Sequence, residues 1–240
     1  MSVVKLLYSE QYPVNEHISI RIPTVGEVIE HENEYYGMVS LIVAMPIDMM
    51  APLDEMGIDF TKITDYELFL ITFNMIRGQD TSMIFGDLDL SKFALEKNQE
   101  NGMVILRDSV NGIVIDRGVY ERICGAVRRI HNIKKDRRKP ANEAAKKFML
   151  ERAKAKIKRS ASKANDSPLE DQIIALVNTE QFGYSFEEVK ALTIYQFNES
   201  VRQIIKKINY ANKMYGVYAG TVSAKDLNQK ELNWMDRSSL

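Results

Sequence analysis

One stretch of this chain cannot contribute a core of its own, and it sets the terms for the rest. Residues 128–163 carry 15 Lys and Arg against Asp136, Glu143 and Glu151, a net charge of +12. Residues 1–127 carry a net −11 and residues 164–240 a net −2, so a whole-chain charge of −1 conceals an acidic part, a sharply basic part and a near-neutral part. Such segregation bears on association and partners more than on fold. The three parts are expected to be an acidic α+β region over 1–127, a basic helical connector over 128–163 and a helical region over 164–240.

The connector should still be helical. From Ala141 to about Ser160 it is rich in Ala, Lys and Arg, all good helix formers, with Phe148, Met149, Leu150 and Ile157 as its only large apolar residues. Most of its circumference must therefore be wet. The core has to come from the flanking parts, and a composition 45% hydrophobic and 27% charged allows it. The longest uncharged run, Tyr35 to Ile47, has 13 residues and includes a proline, too short to cross a bilayer. The first ten residues lack a charged leader followed by a long apolar run, so no secretion signal and no membrane partner are expected. Cys124 is the only cysteine, which leaves no disulfide framework or cysteine-based zinc site within one chain.

Local signals divide the acidic part. His17 to Ile22 alternates, with Ile18, Ile20 and Ile22 on one face of a strand ended by Pro23. Thr24 and Glu27, then Thr64 and Glu67, have capping-box spacing and predict helices from about Val25 and from Asp65 to Arg77. Between them, Tyr36 to Ala44 reads as a buried helix, and Pro46 as the start of a short one ending at Gly57. Asn111-Gly112 between Met103–Leu106 and Ile113–Ile115 predicts a hairpin. Met83-Ile84-Phe85 is expected to add a third strand.

From Gly118 the chain reads as helical. One helix runs from Val119 to about Lys135, and Ser160 to Asp166 reads as a linker. Ser167-Pro168-Leu169-Glu170 joins an N-cap, a first-turn proline and a capping glutamate; Ser185 and Glu188 repeat the cap. Ile194, Phe197, Val201, Ile204, Ile208, Ala211 and Tyr215 then form a heptad seam on a last long helix, stopped by Gly216 and Gly220. Trp234, the only tryptophan, should dock back on the body. The fold class is α+β, predominantly α-helical, with a small β-hairpin element in the N-terminal half and a helical C-terminal half.

No catalytic signature accompanies this framework. A Gly-rich phosphate loop is absent, and His17, His31 and His131 sit far apart with no ligand-pair spacing. Asp87-x-Asp89 reads as turn chemistry and Cys124 as a buried, inert thiol. The chain is expected to be no enzyme and to need neither cofactor nor metal.

Two features point to binding instead. Seven of the 12 methionines fall between Met38 and Met83. Flexible thioethers fill irregular core gaps, and they also line surfaces that accept varied apolar partners. Met45, Met49, Met50 and Met56 are the candidate contacts for a partner's amphipathic helix. The basic connector has three readings. Arg128, Arg129, Arg137, Arg138, Lys147, Lys154 and Lys158 could meet an acidic protein surface, including the acidic part of a second copy in a homo-oligomer; they could track nucleic-acid phosphates; or they could simply be solvated. Only Phe148 among them could stack on a base.

Several stretches resemble a family of tail assembly chaperone-like, tail-module proteins from phages of Gram-positive bacteria. They are Ile22-Pro23-Thr24-Val25-Gly26-Glu27, Gly57-Ile58-Asp59-Phe60 with Thr64 to Phe69, Lys139-Pro140-Ala141-Asn142 leading into Lys146-Lys147-Phe148, Gln196-Phe197-Asn198-x-Ser200-Val201, Gly216 to Gly220 and Leu232-Asn233-Trp234. The resemblance implies a non-enzymatic protein-binding role in the host cytoplasm with phage tail proteins as partners. A chaperone of this kind would coat the long helical tape-measure protein until tube subunits polymerise around it. A structural tail or baseplate component retained in the virion would carry the same features.

Overall fold

A computed structural model describes residues 5–99, 102–136, 138–160, 167–223, 225, 227–228 and 232–235. After a 3-10 turn at Leu6–Tyr8, β1 (Gln11–Pro13) and β2 (Ser19–Arg21) pair antiparallel with Tyr12 opposite Ile20. The Asn15 side chain accepts the His17 and Ile18 amides and so closes the turn between them. Ile18, Ile20 and Ile22 are buried, as the alternation predicts. Both Thr-x-x-Glu sequences form capping boxes, each hydroxyl accepting the glutamate amide while the carboxylate accepts the threonine amide. They start α1 (Val25–Glu30) and α4 (Asp65–Arg77).

Between these lie α2 (Glu32–Val43) and α3 (Met50–Glu55). The short helix thus begins at Met50 rather than Pro46. Asp48 takes the Met45 amide on its carboxylate and returns its own amide to the Met45 carbonyl, which closes a turn where the helix was expected. Met83-Ile84-Phe85 is likewise no strand. It lies in α5 (Ser82–Phe85), set up by the Asp80 carboxylate on the Ser82 amide and ended by Gly86 at φ 59°. A three-residue apolar run has no period to read, and the local turn chemistry decides it.

The third strand is β3 (Ala94–Lys97), preceded by a 3-10 turn at Leu90–Lys92. With β4 (Val104–Asp108) and β5 (Ile113–Ile115) it makes an antiparallel sheet in the order β3-β4-β5, with Leu106 opposite both Leu95 and Ile115. Asp108, buried at the β4 end, accepts from the Val110 and Asn111 amides and the Asn111 side chain, so the hairpin turn closes on its own carboxylate.

The helix α6 (Arg117–His131) stops four residues before Lys135, where Asn132 adopts φ 55°. Then come α7 (Glu143–Ser160), α8 (Pro168–Val177), α9 (Phe186–Ala191) and α10 (Ile194–Tyr218). Gly216 lies inside α10, and the chain turns at Gly220, φ 71°. The protein is predominantly helical, with ten helices and two small antiparallel sheets among the described residues.

One apolar core spans the charge boundaries. Ile20, Val28, Phe69, Phe73, Ile123, Ile130, Leu169, Val189 and Phe197 all belong to the same buried cluster. Backbone pairing joins its two ends: the Val25 amide donates to the Leu192 carbonyl and the Ile194 amide to the Pro23 carbonyl, both at 2.8 Å. The N-caps of α1 and α10 thereby meet as Thr24 opposite Thr193. Gly26 allows that approach, since a β-carbon there would lie 3.2 Å from the Lys190 carbonyl oxygen.

A second tie joins α2 to α8. Glu32 accepts from the Ser167 hydroxyl and, at 2.8 Å, from the Leu169 amide, so a carboxylate 135 residues upstream adds a second N-terminal acceptor for α8 beside Ser167, whose hydroxyl takes the Glu170 amide. Replacing Glu32 by alanine should lower unfolding free energy by about 1–2 kcal/mol, the usual cost of losing a helix cap, as measured by urea titration.

The α10 seam divides into two halves. Ile194, Phe197 and Ile204 are buried, whereas Ile208 and Tyr215 are exposed. Trp234 does return to α10: its carbonyl accepts from Gln203 at 2.5 Å and its ring lies 5.9 Å from the Lys207 ammonium. None of the described helices is long and apolar enough to cross a membrane.

Candidate partner-binding groove

A smaller apolar cluster stands apart from the main core. Ala44, Met45, Ile47, Leu53, Phe60 and Leu68 are buried in it, and Met49, Met50, Ile58 and Ile63 pack around it half-buried. The residues come from the end of α2, the turn after it, α3, the 56–64 loop and α4. Gly57, at φ 72°, reverses the chain after α3 and brings Ile58 and Phe60 back over it.

On one side the cluster opens into a cleft of about 620 Å³. Met45, Pro46, Ile47, Phe60 and Ile63 form its apolar floor, with Tyr66 and Tyr120 beside them. Tyr66 donates to the carbonyls of Ile115 and Val104, so its ring is fixed from behind. The rim is charged, with Arg117, Lys135, Arg138, Lys139 and Lys146 facing Asp65, Glu121, Asp136 and Glu143.

The helix α7 lies over the cluster, and Glu143 and Lys146 of its first turn reach the cleft rim. Ala145, Lys146, Met149, Leu150, Ala153 and Lys154 form its half-buried stripe, the i, i+3, i+4 spacing of one helical face. Met149 packs on the cluster. Lys146 meets Asp59 at 2.8 Å, and Lys154 meets Asp54 at 2.6 Å. Asp59 also accepts from the Thr61 hydroxyl and amide; with Lys146 beside it, its carboxyl is held well below the usual carboxylate range. The carboxylates in turn raise the affinity of both lysines for their protons.

The basic connector therefore folds against the acidic part of its own chain. Lys135 also pairs with Asp65 at 2.5 Å, and Arg138 folds onto Asp136, whose carboxyl it holds at about 2. The structure brings Met45 and Arg138 to one cleft and places Met49 and Met50 on the flank of the same cluster. Met56 is exposed at the end of α3.

The other basic candidates disperse. Arg128 donates to the Val43 carbonyl at the end of α2, a structural task, and Arg129, Lys147 and Lys158 are exposed. Lys154 lies in the stripe already described, and Arg137 lies outside the described residues. Sequence reading passed over Asp54 and Asp59, the carboxylates that receive α7. The spacing of Lys146, Met149, Leu150, Ala153 and Lys154 on one helical face was the signal available for the other half of the contact.

The remaining candidates are structural. Cys124 is buried with its thiol toward the Ile42 carbonyl, and burial pushes it up to about 11, so it stays protonated and unreactive near neutral pH. Asp89 caps a 3-10 turn through the Ser91 amide and hydroxyl. His131, at the end of α6, is enclosed between Tyr35 and Tyr36, with the Tyr35 hydroxyl 3.0 Å from Nε2.

No curated protein and no solved structure matches the chain. Residues 160–239, one third of the chain and the segment that holds α8, α9 and α10, are similar to the model of the YomV second domain, a phage-derived family of the Bacillus phage SPBeta-like kind.

Proposed function

We propose that this protein is a non-enzymatic protein-binding factor of phage tail assembly, which chaperones or scaffolds a helical tail protein of the tape-measure kind in the host cytoplasm. The observation that supports this reading best is the Met-rich cluster of Met45, Met49 and Met50, open on one side to a cleft with an apolar floor and a charged rim. Methionine and isoleucine side chains can repack against successive turns of different helices, which suits a factor that meets many segments of one long client. A charged rim sets register and orientation while the floor supplies the contact area.

The nucleic-acid alternative draws less support. Lys135, Arg138, Lys146 and Lys154 each pair with a carboxylate of the same chain, so a phosphate backbone would compete with contacts already made. The same pairing consumes part of the charge complementarity on which head-to-tail self-association would draw.

The test is co-expression with the tape-measure protein of the same phage, reading the mass of the purified complex by light scattering. The wild type should form a complex, and Met49→Asp with Met50→Asp should lose it. Because both methionines are half-buried, a charge there can also unfold the groove. Met56→Asp, at an exposed position, separates the two effects: it should weaken binding about tenfold while leaving the melting transition in place. Undiminished binding by both variants would remove the methionines from the interface.

A further inference from the structure

The apolar cluster beside the cleft already carries a helix. The helix α7 is 18 residues long, yet none of its described side chains is buried. Its inward stripe is short on apolar bulk: Ala145, Met149, Leu150 and Ala153 between Lys146 and Lys154. The two lysines lie eight residues apart, about 12 Å along a helix, and their carboxylate partners Asp59 and Asp54 bracket the Met149 seat.

Each of these contacts is weak by itself. Ion pairs that keep a fifth to nearly a half of their side chains in water hold loosely and are screened by salt. The segment's Ala, Lys and Arg content lets it keep helical structure with little help from packing, so letting go costs little backbone order. What α7 lies against is the opposite, α3 and the apolar cluster to which its Met50 and Leu53 belong. A strongly apolar seat is thus filled by a weakly apolar occupant held by two surface ion pairs.

We propose that α7 is a built-in placeholder, and that the external occupant of its seat on the cluster is a basic amphipathic helix repeating α7's inward pattern: a cation, apolar residues three and four positions on, and a second cation eight positions on. The placeholder half of this inference stands on the geometry of α7 alone; the partner half rests on the protein-binding function proposed above. A client helix with larger apolar side chains at the Met149, Leu150 and Ala153 positions gains more buried area than α7 does and displaces it. With no client, α7 keeps the methionines covered and limits self-association through an exposed apolar patch.

The experiment uses the full chain and a fluorescent peptide of residues 143–160 as the probe, read by anisotropy. In the wild type the seat is taken and the peptide should bind poorly. In the Lys146→Glu and Lys154→Glu double variant both ion pairs become repulsive, and the peptide should bind at least about tenfold more tightly. The single Lys154→Glu change, at a position nearly half in water, should shift affinity in the same direction by less and keeps the test valid if the double variant folds poorly. A peptide carrying Met149→Asp should bind neither protein. Equal binding to wild type and variants, or binding to none, overturns the placeholder. If the peptide binds the opened chain while the tape-measure protein binds neither form, the placeholder stands and the partner assignment falls.

Discussion

Replacing Phe197 by alanine should lower the stability of the entire chain by about 3–5 kcal/mol, with a single unfolding transition followed equally by probes in the acidic and C-terminal parts. Phe197 is fully buried in the first turn of α10, within the cluster that also holds Ile20, Val28 and Ile123 of the acidic part. Its loss leaves a large void that this packed surround cannot fill. The N-caps of α1 and α10 are paired backbone to backbone, so damage at α10 reaches the start of α1 directly. Urea unfolding monitored by Trp234 fluorescence and by far-UV circular dichroism checks this. Two separated transitions, with only one moved by the substitution, would show that the parts fold independently.

The second large effect comes with pH. His131 is enclosed by Tyr35 and Tyr36 and lines a cleft whose charged residues are Glu32 and Arg202. Burial lowers its pKa to about 4, because the charged ring would lose water while finding only the Tyr35 hydroxyl as a neighbour; Nδ1 is buried and has no partner. An unfolded histidine titrates near 6.5. Between 6.5 and 4 the unfolded chain therefore binds a proton that the folded chain refuses, and stability falls as the pH drops. The contribution is fully present above about pH 7 and costs about 3 kcal/mol by pH 4. Carboxylates such as Glu27, Glu67 and Glu188, held low by their capping bonds, lose their stabilisation only at lower pH, so the upper part of the window isolates His131. His131→Gln, which keeps a hydrogen-bonding group beside Tyr35, should flatten the stability profile between pH 6.5 and 4.5. An unchanged slope in that variant would assign the acid sensitivity elsewhere.

What could be read in the sequence was whatever is settled within a turn or two of chain. The Thr24–Glu27, Thr64–Glu67 and Ser185–Glu188 boxes fix helix starts through contacts three residues apart, and each helix begins where its box predicts. The Asn111-Gly112 hairpin and the Ile18-Ile20-Ile22 strand are equally local. Met83 to Phe85 is no strand because its fate depends on the Asp80 carboxylate accepting the Ser82 amide at the start of a helical turn, a signal outside the apolar run itself.

The groove was half legible. Methionine clustering marked one wall, and the charge map showed that basic and acidic parts could attract. That Lys146 and Lys154 would settle on Asp59 and Asp54, 87 and 100 residues away, has no local signature. Such pairings follow from the fold and cannot precede it. The α10 seam teaches the converse: a regular heptad pattern runs through Tyr215, yet the body covers it only as far as Ile204.

The most direct test of protein binding as the function is light scattering of the purified chain with a helical tape-measure segment, and separately with a short DNA duplex, at low and high salt. A defined complex with the protein segment should form and survive the rise in salt, because apolar burial supplies most of its strength, and the mass should not change with DNA. A mass shift with DNA alone, with log K falling by about 0.9 per phosphate contact for each decade of salt, would contradict it and make the connector a nucleic-acid binding surface.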